Sequence, residues 1–128
     1  MNRQLTLLIG GRLHPGKAAV LARRITPGWH DDAPCAHAKD PDAWFPDPGT
    51  PPDALTAPLA VCAACPVRRS CLAFGLLGAD TGLWGGVTDL DRAMAVDLLV
   101  TGASVDPLLD RLLDLAENTA AGSGPVVA

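Results

Sequence analysis

A chain of 128 residues with a net charge of −4 fits one small domain, and its acidic balance excludes a protein that holds nucleic acid by bulk positive charge. Apolar residues make up 48%, but only five side chains are aromatic, set among 13 Gly and 12 Pro. Such a composition gives a thin core, which usually needs a staple. No apolar run approaches the ~18 residues that span a bilayer, and residues 5–9 are too short, and too soon broken by Gly10-Gly11, for a secretory signal. The expected setting is the cytoplasm, with no membrane partner, where cysteines serve as metal ligands or redox groups more often than as permanent disulfides.

In chain order, residues 1–28 read as a basic N-terminal extension, an appendage with one helix. Pro15 sits in its first turn, Ala18, Ala19, Leu21, Ala22 and Ile25 form its apolar face, and Lys17, Arg23 and Arg24 are left exposed. The large rings and all four cysteines fall between residues 29 and 84, so this window is the expected core. Residues 41–58 are rich in proline and read as a loop pinned by two bulky anchors, Trp44 and Phe45. A short helix is expected from Ala57 or Pro58 to Cys62, and another from Pro66 to about Leu77 with Cys65 as its N-cap. Thr88 and Asp91 resemble a capping box that opens a helix from about 89 to 100. Asp106-Pro107 opens a last helix to about Glu117, carrying Leu108, Leu109, Leu112, Leu113 and Leu115. Residues 93–119 thus form an acidic, leucine-rich helical segment, and residues 120–128 a frayed tail. With no convincing strand, the fold class is mainly α, a small helical domain with a loop-rich N-terminal half.

The strongest chemical signal is the thiol spacing. Cys35 is followed, after 26 residues, by Cys62-x2-Cys65-x5-Cys71. A Cys-x-x-Cys pair at a helix N-terminus presents two sulfurs to one centre, Cys71 comes round from the following helix, and Cys35 arrives from a distant loop. Four thiolates suit either a tetrahedral zinc or a four-iron, four-sulfur cluster. One pair with two singles, rather than two paired knuckles, leans towards the cluster. A thioredoxin-like use of Cys62 and Cys65 expects a βαβ context that the pattern lacks. The second signal is Gly82-Leu83-Trp84-Gly85-Gly86, where glycines permit a tight turn that directs an indole outward.

Together these motifs resemble the WhiB-like proteins. The resemblance rests on Trp29 six residues before Cys35, on Asp40-Pro-Asp-Ala-Trp44-Phe45-Pro46, on Cys62-Ala-Ala-Cys65-Pro66 through Cys71-Leu72, and on Gly82-Leu-Trp84-Gly-Gly86 followed by Asp91-Arg92. It covers residues 29–92 and implies one [4Fe-4S] cluster per chain on Cys35, Cys62, Cys65 and Cys71. It further implies a non-enzymatic regulator of transcription, sensitive to oxygen and nitric oxide, with a disulfide in the cluster-free form. The implied partner is region 4 of the primary sigma factor, met by a surface of Trp29, Trp44, Phe45, Trp84, Gly85 and Gly86.

The chain departs from that family at its C-terminal end. Family members often carry a basic tail for DNA, whereas residues 85–128 here are net −5. The basic stretch 12–24 is a candidate substitute, although an exposed cationic helix face more often serves solubility, so the acidic tail gives DNA contact little support and names no residue for it; Pro58 is expected to shorten the helix before Cys62. Arg68 and Arg69 are expected to be solvated. Two rival readings are a thiol–disulfide reductase using Cys62 and Cys65, and a structural zinc module that binds another protein.

Overall fold

The computed structural model describes residues 13–78 and 81–121. Five α-helices organise them: α1 Pro15–Arg23, α2 Thr56–Ala63, α3 Arg68–Gly78, α4 Asp89–Val100 and α5 Val105–Ala121. Between α1 and α2 the chain makes four short 3-10 turns, Trp29–Asp32, Pro34–His37, Pro41–Trp44 and Pro52–Leu55. The described residues are mostly helical and include no strand, only an isolated bridge in which Trp84 and Val87 exchange backbone hydrogen bonds. No single helix among them is long and apolar enough to cross a membrane.

The expected helices are present, with informative shifts at their ends. Pro58 lies in the first turn of α2, where its missing N–H is no loss; the helix begins at Thr56 and continues the turn Pro52–Leu55, so proline does not shorten it. Helix α3 begins at Arg68, because the first intrahelical bond runs from the Cys71 N–H to the Val67 carbonyl at 3.0 Å. Cys65 therefore precedes the cap instead of forming it. Thr88 caps α4 as the sequence suggests, its hydroxyl accepting the Asp91 N–H at 3.2 Å. Helix α5 starts at Val105, two residues before the expected first helical position Pro107, and runs to Ala121, and the remainder of the expected tail, residues 122–128, lies outside the described residues.

The larger core is not the aromatic window. It gathers Leu13 and Leu21 with Leu72 and Leu76 of α3, Leu99 of α4 and Leu108, Leu109 and Leu113 of α5. Helix α1 packs on α3, and α3 packs on α4 and α5. The N-terminal segment is thus no appendage from residue 13 onward: Leu21 is 0% exposed, and burying such a side chain contributes about 1.5–3 kcal/mol. A second, smaller core joins Trp44, Cys62 and Leu83, with Cys35, Leu55 and Leu59 against them. Helix α2 lies along α5 and links the two.

Electrostatics fasten the same segments. Lys17 Nζ donates to the Leu99 carbonyl at 3.0 Å and to that of Ala103, placing a cation at the negative end of the α4 dipole. Arg24 grips Asp106 with two bonds of 2.6 Å, and Arg69 reaches Asp110 at 2.6 Å and Asp106 at 3.3 Å. Lys17, Arg24 and Arg69 are therefore engaged rather than solvated, because the basic N-terminal third and the acidic C-terminal third lie side by side. Asp106 lies inside the first turn of α5 and not at its cap, and from there it binds two arginines. On α4 the polarity is inverted: Arg92, Ala95 and Leu99 face inward while Leu90, Met94 and Leu98 are exposed.

Candidate metal centre

Four separate pieces of backbone deliver the thiols. Cys35 comes from the turn Pro34–His37, Cys62 from the last turn of α2, Cys65 from the link after it, and Cys71 from the start of α3. All four line one cavity, together with Trp44 and Gly85. Among the described residues, no three His, Cys, Asp or Glu side chains are gathered tightly enough to hold a single metal ion. The thiols thus share a space without converging on one point. Asp31, Asp32 and His37, which flank Cys35 in sequence, are exposed.

The Trp84–Val87 turn closes this cavity. The residue just before it, Leu83, donates its N–H to the Trp44 carbonyl at 2.7 Å, tying the turn to the proline-rich loop. Gly85, at φ +65°, directs its N–H to Cys71 Sγ at 3.2 Å. A Cβ on Gly85 would lie 2.7 Å from Leu72 Cβ and 2.9 Å from the Arg68 carbonyl oxygen, so only glycine lets the turn come this close to α3. Gly86 packs over Cys62, where its backbone N–H favours the thiolate. The buried indole Nε1 of Trp44 also approaches Cys62 without closing a hydrogen bond, and remains an unpartnered donor at the cavity wall.

Burial sets the acidity of these thiols. It raises Cys35 and Cys62, and it pushes Cys71 up to about 12, against the opposing effect of the Gly85 N–H. Mutual repulsion among the thiolates adds to each rise. A reactive nucleophilic cysteine needs the reverse, a lowered pKa in an electropositive and accessible place, so the reductase reading gains nothing from Cys62. A set of half-buried and buried thiols is instead suited to a cationic group that offsets the repulsion and takes the place of the protons. The donors at Gly85, Gly86 and Trp44 fit the sulfurs of such a group.

A second cavity shares a wall with the first. Trp29, Trp44, Phe45 and Trp84 line it together with Cys35 and Cys71. The sequence names these four rings, and the structure brings all of them to one place, although in different roles. Trp29 and Trp44 are buried, whereas Phe45 is 52% exposed, one side of its ring lying against Gly82. Trp84 is half-buried, its Nε1 held by the Thr81 carbonyl at 2.7 Å. Sequence reasoning missed the ring that joins them. Phe74 stacks on Trp84 at 5.3 Å and meets Trp29 at 5.7 Å between centroids. Its spacing gave the signal, since Phe74 lies three residues after Cys71 and therefore on the same face of α3.

Comparison with known proteins now settles the family. A family model described as transcription factor WhiB matches residues 29–94. The chain belongs to the WhiB family. Its WhiB region is 46% identical over 54 residues to WhiB7 of Mycobacterium tuberculosis, covering 41% of this chain and 54% of that protein. It is 36% identical over 66 residues to the transcriptional regulator WhiB of Streptomyces coelicolor, covering 51% of this chain and 71% of that one. The transcriptional regulator WhiB7 of Mycolicibacterium smegmatis is 42% identical over 64 residues, or 49% and 57% of the two chains. The chain therefore spans little more than half the length of its WhiB7 relatives. No solved structure matches it. The WhiB match takes in the four cysteines, all the rings of the second cavity and the Trp-Gly-Gly turn, and it ends inside α4.

Proposed function

We propose that this WhiB-family chain is a cytoplasmic transcriptional regulator that carries one [4Fe-4S] cluster on Cys35, Cys62, Cys65 and Cys71 and docks on region 4 of the primary sigma factor. The observation that carries the reading is the shared wall: the cavity of the four thiols adjoins the cavity of the four rings, with Cys35, Cys71 and Trp44 common to both. Four thiolates suit either centre, and one Cys-x-x-Cys pair with two single cysteines, rather than two paired knuckles, supports the cluster over zinc.

When bound, the cluster supplies one-electron redox chemistry and reactivity towards oxygen and nitric oxide. The chain's own contribution is positional. Gly85 and Gly86 aim N–H groups at Cys71 and Cys62, Trp44 excludes water and offers its indole N–H, and Trp29, Phe74 and Trp84 form a continuous aromatic shelf beside the pocket. Rigid rings of this kind act as anchors at small interfaces. Since Cys35 and Cys71 belong to both cavities, ligation and the shape of the shelf are coupled. The relatives named as transcriptional regulators support the same assignment. Contact with DNA through the basic stretch finds less support, because Lys17 and Arg24 are bonded within the chain, and Arg12 lies outside the described residues.

Anaerobic purification with iron and sulfide analysis, followed by pull-down with sigma region 4, tests the proposal. The expected result is a brown protein with about four iron and four sulfide per chain, which binds sigma while a Cys62→Ala, Cys65→Ala variant does not. A colourless protein with one zinc that resists reconstitution, or equal binding by both forms, overturns it.

A further inference from the structure

Arg92 is a buried cation behind the pocket that the proposed function does not use. It is 3% exposed, yet it faces two neutral acceptors: its Nη1 donates to the Val87 carbonyl at 3.1 Å and to the Gly82 carbonyl, while its Nε has no partner. A guanidinium taken out of water is costly unless negative charge lies nearby, and two groups supply it here, the Asp89 carboxylate at the start of α4 and the Cys71 sulfur. The two carbonyls stand at either end of the segment that carries Trp84, Gly85 and Gly86, so one side chain clamps the turn from behind. Gly75 makes room for this arrangement, since a Cβ there would lie 2.6 Å from Trp84 Cβ and 3.1 Å from Arg92 Cδ. On the far side of the turn stands Cys71, joined to it by the Gly85 N–H. Four thiolates around a cluster of charge 2+ leave the centre at −2, an anion large enough to offset a buried cation.

We infer that Arg92 is the positioning residue of the thiol pocket, its guanidinium fixing the turn that presents Gly85 and Gly86 and its charge balancing the anionic centre. The inference rests on the function proposed above for the identity of that centre, but the clamp itself depends only on the turn. Removing the clamp releases the Gly85 N–H from Cys71; removing the charge makes the centre harder to reduce, because each added electron deepens an uncompensated negative charge.

Full-length wild type, Arg92→Gln and Arg92→Lys separate the two effects. In the metal-free protein, hydrogen exchange of the Gly85 amide reads the clamp, and it is expected to quicken at least about tenfold in both variants. After anaerobic reconstitution, the midpoint potential reads the charge: Arg92→Gln is expected below wild type and Arg92→Lys close to it. Release of iron to a chelator is expected to quicken about tenfold in Arg92→Gln, in the range that outer partners of a metal site usually command. Unchanged Gly85 exchange overturns the clamp, and equal potentials in wild type and Arg92→Gln overturn the charge balance. If Arg92→Gln fails to fold by circular dichroism, Arg92→Lys decides alone: faster exchange with a wild-type potential supports the inference, and any other combination overturns it. A wild-type protein that takes up no iron and sulfide counts against the proposed function, while the Gly85 exchange still decides the clamp.

Discussion

The backbone N–H of Gly85 donates to Cys71 Sγ at 3.2 Å across 14 residues of sequence. This bond ties the glycine turn to α3, and it exists because residue 85 has no side chain to hold the two apart. Gly85→Ala would place a Cβ in overlap with Leu72 and the Arg68 carbonyl while forcing alanine to φ +65°. The expected loss is about 2–4 kcal/mol, combining left-handed strain with overpacking. Gly86→Ala meets its neighbours at 3.2 and 3.3 Å and should lose less. Urea denaturation of the two variants checks the order.

Removal of the leucine core from the N-terminal side is the second test. Leu21→Ala should cost about 2–5 kcal/mol, the range for truncating a fully buried leucine, despite lying outside the region matched by the family model. A stability change below 1 kcal/mol in chemical denaturation would mean that α1 is not part of the folded unit.

The sequence shows the site better than it shows the packing around it. Thr88 and Asp91, the Trp-Gly-Gly turn and the cysteine spacing are legible because each is local, with residue types that have few other uses. The partnership of Arg24 with Asp106 spans 82 positions, and nothing near either residue announces it. Leu21 looks like part of the face of a detached helix until α3 is seen beneath it. Counting rings drew the core to residues 29–84, whereas the larger core is built of leucine and so escapes such a count. The start of α3 is hidden for a different reason: Pro66 is compatible with a first helical turn, but the backbone places it in the turn just before the helix.

Acidity gives a third expectation, for the metal-free protein. Cys71 is held to about 12 when folded, against an ordinary 9.0. An unfolded chain therefore gives up this proton at lower pH than the folded one, so stability should fall as pH rises above 9. Cys71→Ser should flatten that fall. Mass-spectrometric alkylation at pH 8 should find Cys71 modified at least tenfold more slowly than a free thiol of ordinary pKa, since little of it is thiolate.

At the opposite end of the scale, the Arg24 and Arg69 guanidinium groups hold Asp106 down to about 2, the hydrogen bond from Arg24 being the larger influence. A depressed carboxylate stabilises the fold above its unfolded pKa of 3.8 and loses that contribution as pH falls from there towards 2. Asp106→Asn should thus lower Tm at pH 7 and low salt, with the difference from wild type shrinking in 1 M salt and vanishing near pH 2. Thermal melts across pH and ionic strength read this directly.

The six prolines at positions 41, 46, 48, 51, 52 and 58 lie in the stretch between the first thiol and the second. Bringing Cys35 to Cys62 closes a long loop, and the freedom surrendered on closing is normally the main obstacle to recruiting a distant ligand. Each proline removes conformations from the unfolded chain before any ligand arrives, and the turns Pro41–Trp44 and Pro52–Leu55 shorten the path further. The proline-rich loop therefore lowers the entropy of assembling the site, and replacing its prolines with alanine would weaken the hold on Cys35 without changing a residue that lines the thiol cavity.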